Sequence, residues 1–277
     1  MDNKKCISFV KMHACGNDFI IIHNTEFSGI PELDRCETIR RLSSRRTGIG
    51  CDQLLIVSNE GPLEAEMIIY NSDGSSAATC LNGAACVALD LMRNNKEWNF
   101  LIKSSGGIFL AHLENEKVRI IPTTILQNNL PTKEKVLSKS LSKFSLPGIR
   151  YVGIGVSIGN PHLVFFVETE KEVDEIHSFA DLVRRNNPFT REINLSVSCI
   201  FDGVALSRVI EAGTGETLAC GSASAAIYLA ARNLGLVETE LTIRFPGGDL
   251  IAGPHKEFYY IAATPKYVFR GSFWIPF

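Results

Sequence analysis

Two short segments of the chain resemble each other, and each begins with a cysteine followed by small residues. The first is Cys80-Leu-Asn-Gly-Ala-Ala and the second is Cys220-Gly-Ser-Ala-Ser-Ala. A second pair with nearly the same spacing consists of Gly16-Asn17 and Gly159-Asn160, each close to an apolar strand-like run. Two matched pairs indicate an internal duplication, and they therefore predict a fold of two similar halves.

The size and composition of the chain agree with two globular halves. Its 277 residues exceed a typical single domain. Hydrophobic residues make up 45% and charged residues 21%, as in a protein with a full core. The net charge of −2 gives no reason to expect nucleic acid or a membrane as a partner. Because there is neither an apolar run of spanning length nor a signal-like N-terminus, we expect a cytoplasmic protein, for which a homodimer is one compatible state.

The pattern of apolar residues predicts a fold of the α+β class. Short β-branched runs bounded by turn residues predict several strands in each half. Helical periodicity is confined to segments near 32–43, 80–94, 172–185 and 220–234. Because strands and helices do not alternate regularly, a doubly wound parallel sheet is disfavoured. The polar stretch 127–147, rich in Lys and Ser and carrying two prolines, predicts a linker between the halves.

The eight cysteines do not form a disulfide or metal-binding pattern. They are too sparse for a disulfide framework, and no Cys-x-x-Cys or His-x-x-x-His pair suggests a metal site. Five are expected to be buried small hydrophobes, namely Cys6, Cys36, Cys51, Cys86 and Cys199. Cys15 lies in a loop beside glycine, and its role stays open.

The two cysteines that begin the duplicated segments are candidates for acid–base chemistry. A helix start supplies free N–H groups and partial positive charge, which bind a carboxylate and lower a thiol pKa toward neutrality. One thiolate and one thiol on opposite faces of an amino acid could remove an α-proton and deliver another, which inverts that centre. The bound carboxylate would take up the developing negative charge. We therefore expect a site between the halves, and we expect no cofactor.

Several polar residues could assist two such thiols. Four asparagines near glycine, proline or strand ends are candidates for binding a zwitterion, namely Asn17, Asn71, Asn160 and Asn194. The alternative is a turn residue that bonds its own backbone. His162 and Glu211 could orient or activate the thiols. A core histidine and a solvated strand-end carboxylate are the alternatives at these two positions.

At this point a family resemblance can be stated. The chain carries, in order, Lys11-Met-His-Ala-Cys-Gly16-Asn17-Asp18-Phe19, Gly48-Ile-Gly-Cys-Asp52-Gln53, Asn71-Ser-Asp73-Gly74, Gly159-Asn-Pro-His162 and Gly215-Glu-Thr-Leu-Ala-Cys220-Gly221. With these motifs it resembles the diaminopimelate epimerase family. The resemblance implies two pseudo-symmetric domains, each a β-barrel-like sheet wrapped around a central helix. It places the N-terminal half at 1–126 plus 267–277 and the C-terminal half at 127–266.

The same resemblance implies an activity and a set of site residues. The activity is cofactor-independent conversion of LL-diaminopimelate to the meso form, for lysine and peptidoglycan biosynthesis. Cys80 and Cys220 would be the acid–base pair, with His162 and Glu211 beside the thiols. Substrate contacts would come from the side chains or backbone of Asn17, Gln53, Asn71, Leu81, Asn82, Asn160, Asn194, Gly221 and Ser222.

The chain departs from the family pattern at four positions. Leu81 and Ala85 stand where the family usually has Gly and Arg, and Ser196 replaces the second Asn of an Asn-x-Asn motif. Ala212 replaces an Arg that, in the family, helps to bind the distal end of the substrate by a geometry-selective contact.

The replaced Arg leaves alternative functions open. One is an amino-acid racemase of relaxed specificity, for example with glutamate racemase activity. A non-catalytic amino-acid binding protein is disfavoured because both cysteines are present. The related proline racemase type is disfavoured by the specific motif that ends in Cys220-Gly221.

Overall fold

The computed structural model describes residues 4–27, 32–125, 141–186 and 193–276. The chain divides into two compact units, of which unit 1 comprises Met1–Thr123 with Thr264–Phe277 and unit 2 comprises Thr124–Ala263. The halves predicted from the sequence, 1–126 with 267–277 and 127–266, differ from these units by three residues at each division. Their bounds stay a prediction. No helix in the described part of the chain is long and apolar enough to cross a membrane.

The described part of unit 1 is built from strands with three helices among them. In chain order its elements are β1 (Lys4–Ala14), β2 (Asn17–His23), α1 (Asn24–Phe27), α2 (Glu32–Ser43), β3 (Gln53–Gly61), β4 (Glu64–Asn71), β5 (Ser76–Ala77), α3 (Leu81–Asn95), β6 (Asn99–Ser104), β7 (Gly107–Glu114) and β8 (Lys117–Ile125).

Unit 2 has the same style, and the chain then returns to unit 1. Its elements are β9 (Ser142–Ser145), β10 (Val152–Ser157), β11 (Pro161–Val167), α4 (Glu170–Asp174), α5 (Ile176–Asn186), β12 (Asn194–Phe201), β13 (Val204–Glu211), β14 (Gly215–Thr217), α6 (Gly221–Asn233), β15 (Leu241–Phe245), β16 (Gly248–His255) and β17 (Phe258–Ala263). The last strand, β18 (Lys266–Pro276), pairs with β1.

The two units share one order of strand pairing. In unit 1, β1/β2 is antiparallel, β2/β3 parallel, β3/β4 antiparallel, β4/β6 parallel and β6/β7 antiparallel. In unit 2, β10/β11, β11/β12, β12/β13, β13/β15 and β15/β16 repeat this series. The duplication predicted from the paired cysteine and glycine-asparagine segments is therefore confirmed.

One helix in each unit is enclosed by its sheet. In α3 every residue from Asn82 to Met92 is buried, and the helix contacts β1, β2, β6 and β7. In α6 the residues from Ala223 to Ala231 are buried, and the helix contacts β10, β11, β12, β15, β16 and β17. A helix that is buried on all sides has to lie inside the core. The predicted α+β fold, with a barrel-like sheet around a central helix in each half, is confirmed.

The outer face of each sheet is covered by the remaining helices. In unit 1, Phe27 of α1 and Ile39 of α2 pack with Ile20 and Leu54 of the parallel pair β2/β3. In unit 2, residues of α4 and α5 pack on β11 and β12. Because both faces are covered, residues 19–22 of β2 are buried one after another instead of alternating.

Two sequence-based expectations about elements were wrong in part. The stretch 127–147 was predicted as a linker, but Ser142–Ser145 is a strand paired with β10, and the following Leu146 is buried in the core. The rest of that stretch, up to residue 140, lies outside the described residues. The helix predicted at 172–185 is split into α4 and α5.

The prediction that five cysteines are buried also needs correction. Cys51, Cys86 and Cys199 are buried, whereas Cys6 and Cys36 are exposed. Cys6 lies on β1, where its buried neighbour Ile7 points to the opposite face. Cys36 lies on α2, where its thiol approaches the carbonyl oxygen of Gly74 at 3.6 Å.

Candidate active site

Cys80 is the N-cap residue of α3. Its sulfur accepts a hydrogen bond from the backbone N–H of Gly83 at 3.3 Å, and its own carbonyl oxygen accepts from Ala84 at 2.9 Å. Extended backbone at Cys80 turns into helix at Leu81, so the first-turn N–H groups of Leu81 and Asn82 have no partner further back in the helix. The start of α3 can therefore bind an anion close to the thiol.

The amide of Asn17 links Cys80 to Asn82. The Asn17 oxygen Oδ1 lies 3.8 Å from the Cys80 sulfur and 3.4 Å from Asn82 Nδ2. On its other side, Asn17 donates from Nδ2 to the Asp52 oxygen Oδ2 at 3.0 Å. Asn82 is buried, and its own Oδ1 makes no hydrogen bond.

Two further candidates of unit 1 lie at the starts and ends of neighbouring strands. Gln53 begins β3 opposite Asn71, which ends β4, and Gln53 Nε2 donates to Asn71 Oδ1 at 3.0 Å. Asn71 Nδ2 in turn donates to Ser75 Oγ at 3.0 Å. The remaining oxygen of Gln53 is buried without a hydrogen bond. Because Gln53 pairs with Phe19 of β2, it lies at the same edge of the sheet as Asn17.

Cys220 occupies the matching position in unit 2, as the N-cap residue of α6. Its sulfur accepts from the backbone N–H of Ala223 at 3.4 Å and lies 3.2 Å from Ser222 Oγ. The thiol also donates to Glu211 Oε2 at 3.2 Å. The other oxygen of that carboxylate accepts from the hydroxyl of Thr217 at 2.5 Å. Gly221 and Ser222, the first helical residues, present the free N–H groups here.

The prediction that a helix start lowers the thiol pKa is wrong for Cys220. Burial, followed by the charge of Glu211, raises its pKa well above the usual value. Hydrogen bonds from Ser222 and from the Ala223 backbone act in the opposite direction but are smaller. Cys220 is therefore a thiol at rest, and it directs its proton at a carboxylate.

His162, Asn160 and Asn194 lie close together at one end of the β11/β12 pair. His162 pairs with Asn194 across the parallel strands, and its Nε2 lies 3.1 Å from Asn160 Oδ1. Burial lowers the pKa of His162 to about 3, so the ring is uncharged at neutral pH. Contact with an oxygen acceptor requires Nε2 to carry the hydrogen, which leaves Nδ1 as a bare acceptor. That Nδ1 is buried and makes no hydrogen bond.

Asn194 connects this group to the strand that carries Glu211. Its Nδ2 donates to the carbonyl oxygen of Pro161 at 3.1 Å, and its Oδ1 accepts from the backbone N–H of Ala212 at 3.1 Å. Ser196 lies two residues further along β12, on the same face as Asn194, and its hydroxyl is fully buried without a hydrogen bond. The positions that depart from the family pattern at 196 and 212 thus adjoin the predicted site residues of unit 2.

Unsatisfied polar atoms concentrate on the predicted site residues. Among the described residues, four buried side-chain atoms lack a hydrogen-bond partner, namely Gln53 Oε1, Asn82 Oδ1, His162 Nδ1 and Ser196 Oγ. Buried polar atoms are normally paired, so each exception requires an explanation. Three of the four belong to residues that the sequence had singled out for binding or catalysis.

Sequence reasoning missed residues that hold the candidates in place. Asp52 and Thr217 accept from or donate to Asn17 and Glu211, respectively. Both lie inside motifs that were noticed in the sequence, but the pairing partners are far away along the chain or on another strand. In the described residues, no group of three or more His, Cys, Asp and Glu side chains is arranged to hold a metal ion.

Comparison with known proteins assigns the family. A family model described as diaminopimelate epimerase matches residues 9–124 and 154–260, which contain both cysteines. Diaminopimelate epimerase of Zymomonas mobilis subsp. mobilis is 31% identical over 274 residues, covering 96% of each chain. The chain belongs to the diaminopimelate epimerase family. As a member of this family, it is an isomerase.

A second relative and a solved structure are also similar to the chain. Diaminopimelate epimerase of Rickettsia felis is 29% identical over 271 residues, covering 97% of each chain. The crystal structure of a phenazine biosynthesis protein of the PhzF family from Enterococcus faecalis superposes with a TM-score of 0.68. It is 16% identical and the match covers 98% of this chain and 100% of that one, which shows a shared fold.

Proposed function

We propose that this chain catalyses the epimerisation of LL-diaminopimelate to meso-diaminopimelate at one α-carbon, without a cofactor. The product would serve lysine and peptidoglycan biosynthesis. The proposal is supported by one observation above all. In each unit, a cysteine caps a buried helix, and the same unit contains candidate site residues with buried polar atoms that lack hydrogen-bond partners. A bound amino acid would supply those partners, and the N–H groups of the helix starts would hold its carboxylate.

In the proposed reaction, one sulfur removes the α-proton while the other sulfur delivers a proton to the opposite face. The C–H bond on the first face breaks, its electron pair shifts toward the carboxylate, and a new C–H bond forms on the second face. One thiolate becomes a thiol and one thiol becomes a thiolate, so the charges balance. The roles of Cys80 and Cys220 exchange when the direction reverses.

Glu211 is the group that would take the proton of Cys220. It already accepts a hydrogen bond from that thiol at 3.2 Å. When Cys220 acts as the base, proton transfer to Glu211 would generate the thiolate at the moment of need. The uncharged His162, with its bare Nδ1, offers a hydrogen-bond acceptor to a bound substrate in unit 2. The backbone N–H groups of Leu81, Asn82, Gly221 and Ser222 would stabilise the carboxylate of the reacting centre.

Recognition of the distal end of the substrate is where this chain should differ from other members of the family. Ala212 has no guanidinium group, and only its backbone N–H is engaged, by Asn194. Ser196, at another of the changed positions, carries a buried hydroxyl without a hydrogen-bond partner. We expect weaker discrimination of the distal group, and glutamate is therefore the second candidate substrate.

The experiment that tests the assignment measures exchange of the α-proton for deuterium in deuterated water. LL-diaminopimelate and L-glutamate are supplied separately, and Cys6→Ser serves as the matched control because Cys6 is an exposed cysteine outside both clusters. The expected result is rapid exchange with LL-diaminopimelate and slower exchange with glutamate. Exchange with glutamate alone would transfer the assignment to a glutamate racemase. No exchange with either amino acid would contradict both assignments.

A further inference from the structure

Asp52 has a position that the proposed reaction does not yet explain. Its Oδ2 accepts from Asn17 Nδ2 at 3.0 Å and from the backbone N–H of Asp18 at 3.1 Å. Its Oδ1 forms an ion pair with Arg45 Nη2 at 2.7 Å. Its backbone N–H donates to Asp18 Oδ1 at 2.9 Å. Asp52 is thus held in place through both its side chain and its backbone.

The other charges of this cluster balance one another. Arg45 also binds both oxygens of Asp18, at 3.0 and 2.7 Å. The nearly buried Lys11 contacts Asp18 Oδ2 at 2.5 Å and also donates to the carbonyl oxygen of Gly50. Two cations therefore face two carboxylates. The carboxylate oxygens of Asp52 meet donors in each of these contacts and act there as acceptors.

The acceptor-only character of Asp52 determines which way the Asn17 amide points. An amide has one donating end and one accepting end. Since Asp52 occupies the donating end, the oxygen of Asn17 has to face the other way. There it lies 3.8 Å from Cys80 Sγ and 3.4 Å from Asn82 Nδ2. Without Asp52, the 3.4 Å contact with Asn82 would be left to oppose a turn of the NH₂ group toward the sulfur.

We propose that Asp52 is a positioning residue which, through Asn17, directs an oxygen acceptor at Cys80 and so keeps the proton on that thiol. The catalytic meaning of this arrangement rests on the proposed function of Cys80. An oxygen facing the sulfur favours the thiol, whereas an NH₂ group would favour the thiolate. Cys80 would thus be held protonated until a substrate enters, just as the thiol of Cys220 keeps its proton while it donates a hydrogen bond to Glu211 in unit 2.

The test follows the rate at which iodoacetamide alkylates Cys80 at different pH values, with fragment-ion mass spectra separating Cys80 from Cys86. Asp52→Ala, Asn17→Ala and the double variant form a thermodynamic cycle with the wild type. We expect Asp52→Ala to raise the alkylation rate at pH 7 about three- to tenfold, because more of the thiol is ionised. In the Asn17→Ala background, the same change should have no effect.

Two further variants distinguish an effect of the Asn17 amide from an effect of the lost charge at position 52. Arg45→Gln removes the ion pairs of Arg45 with Asp18 and Asp52 but leaves Asp52 hydrogen-bonded to Asn17. The alkylation rate of Cys80 should therefore not rise. Asp52→Glu restores a carboxylate and should bring the rate back toward the wild-type value. If Asp52→Ala does not fold, Asp52→Asn is used, because its single oxygen cannot serve both Arg45 and Asn17. It should show a smaller rise.

Specific outcomes would overturn the proposal. An equal rise with and without Asn17 would show that Asp52 acts by its charge alone. A rise in Arg45→Gln that matches Asp52→Ala would assign the effect to the charged cluster. If no folded Asp52 variant shows a rise in the alkylation rate of Cys80, the proposal is refuted. Because alkylation needs no substrate, a negative alkylation result does not affect the proposed epimerisation. Conversely, a protein that shows no epimerisation would leave the alkylation result valid.

Discussion

Glu211 accepts a hydrogen bond from the thiol of Cys220 at 3.2 Å, within unit 2 of the chain. Burial and this carboxylate together raise the pKa of the thiol. The proton therefore stays on the Cys220 sulfur, and the carboxylate that can accept it lies next to it. A cysteine that has to act as acid in one direction and as base in the other needs such a partner.

Replacing the carboxylate of Glu211 should remove the proton acceptor of Cys220. We expect Glu211→Gln to lower kcat about a hundredfold or more, since general acid–base partners contribute on that scale, while the fold is retained. Deuterium exchange of LL-diaminopimelate measures the effect. Glu257→Gln, which changes an exposed carboxylate in the same unit, is the control and should retain wild-type activity. Equal activity of the two variants would remove Glu211 from the mechanism.

The hydroxyl of Thr217 should act through Glu211. It donates to Glu211 Oε1 at 2.5 Å, and this bond fixes the carboxylate so that its other oxygen faces the Cys220 thiol. We expect Thr217→Val to reduce kcat about tenfold while KM changes little. Thr217→Ser keeps the hydroxyl and should restore most of the activity. A loss of activity that Thr217→Ser does not restore would indicate a purely structural role for the Thr217 side chain.

Acid should weaken unit 1 through Asp18. Burial would raise its pKa, but hydrogen bonds and charges of Arg45 and Lys11 outweigh burial and lower the pKa from 3.8 to about 2. Because the folded protein binds the proton less readily than the unfolded chain, this stability is present above about pH 4 and is lost toward pH 2. Urea unfolding should therefore show that the wild type loses about 2 kcal/mol more than Asp18→Asn over this range. Equal losses would contradict the inferred role of the Asp18 ion pairs.

Much of the fold could be predicted from local sequence. Apolar periodicity predicts the four helical segments. Continuous apolar runs, such as residues 19–23 of β2, predict the buried strands. Strand β12 is less clear from the sequence, because Ser196 and Ser198 interrupt its apolar residues. In the structure these serines face inward, and Ser198 is satisfied by Ser207 across the sheet at 2.8 Å. A local pattern cannot show a partner on another strand.

The edge strands and the supporting residues of the site depend on distant parts of the chain. Strand β18, which carries Arg270 and the exposed Trp274, is held by pairing with β1 from the opposite end of the sequence. Cys80 and Cys220 could be identified from their small-residue surroundings. The roles of Asp52 and Thr217 could not, because each is defined by a hydrogen bond that only the folded chain creates.

The central claim is that both Cys80 and Cys220 act on the same α-carbon. It is tested most directly by following LL-diaminopimelate in deuterated water at early conversion, with the wild type, Cys80→Ser, Cys220→Ser and the control Cys6→Ser. Two separate bases predict that deuterium enters the meso product while the remaining LL substrate keeps its proton. They also predict that each active-site serine variant loses at least about a hundredfold in epimerisation and stays folded. Near-normal epimerisation by either variant would contradict the claim.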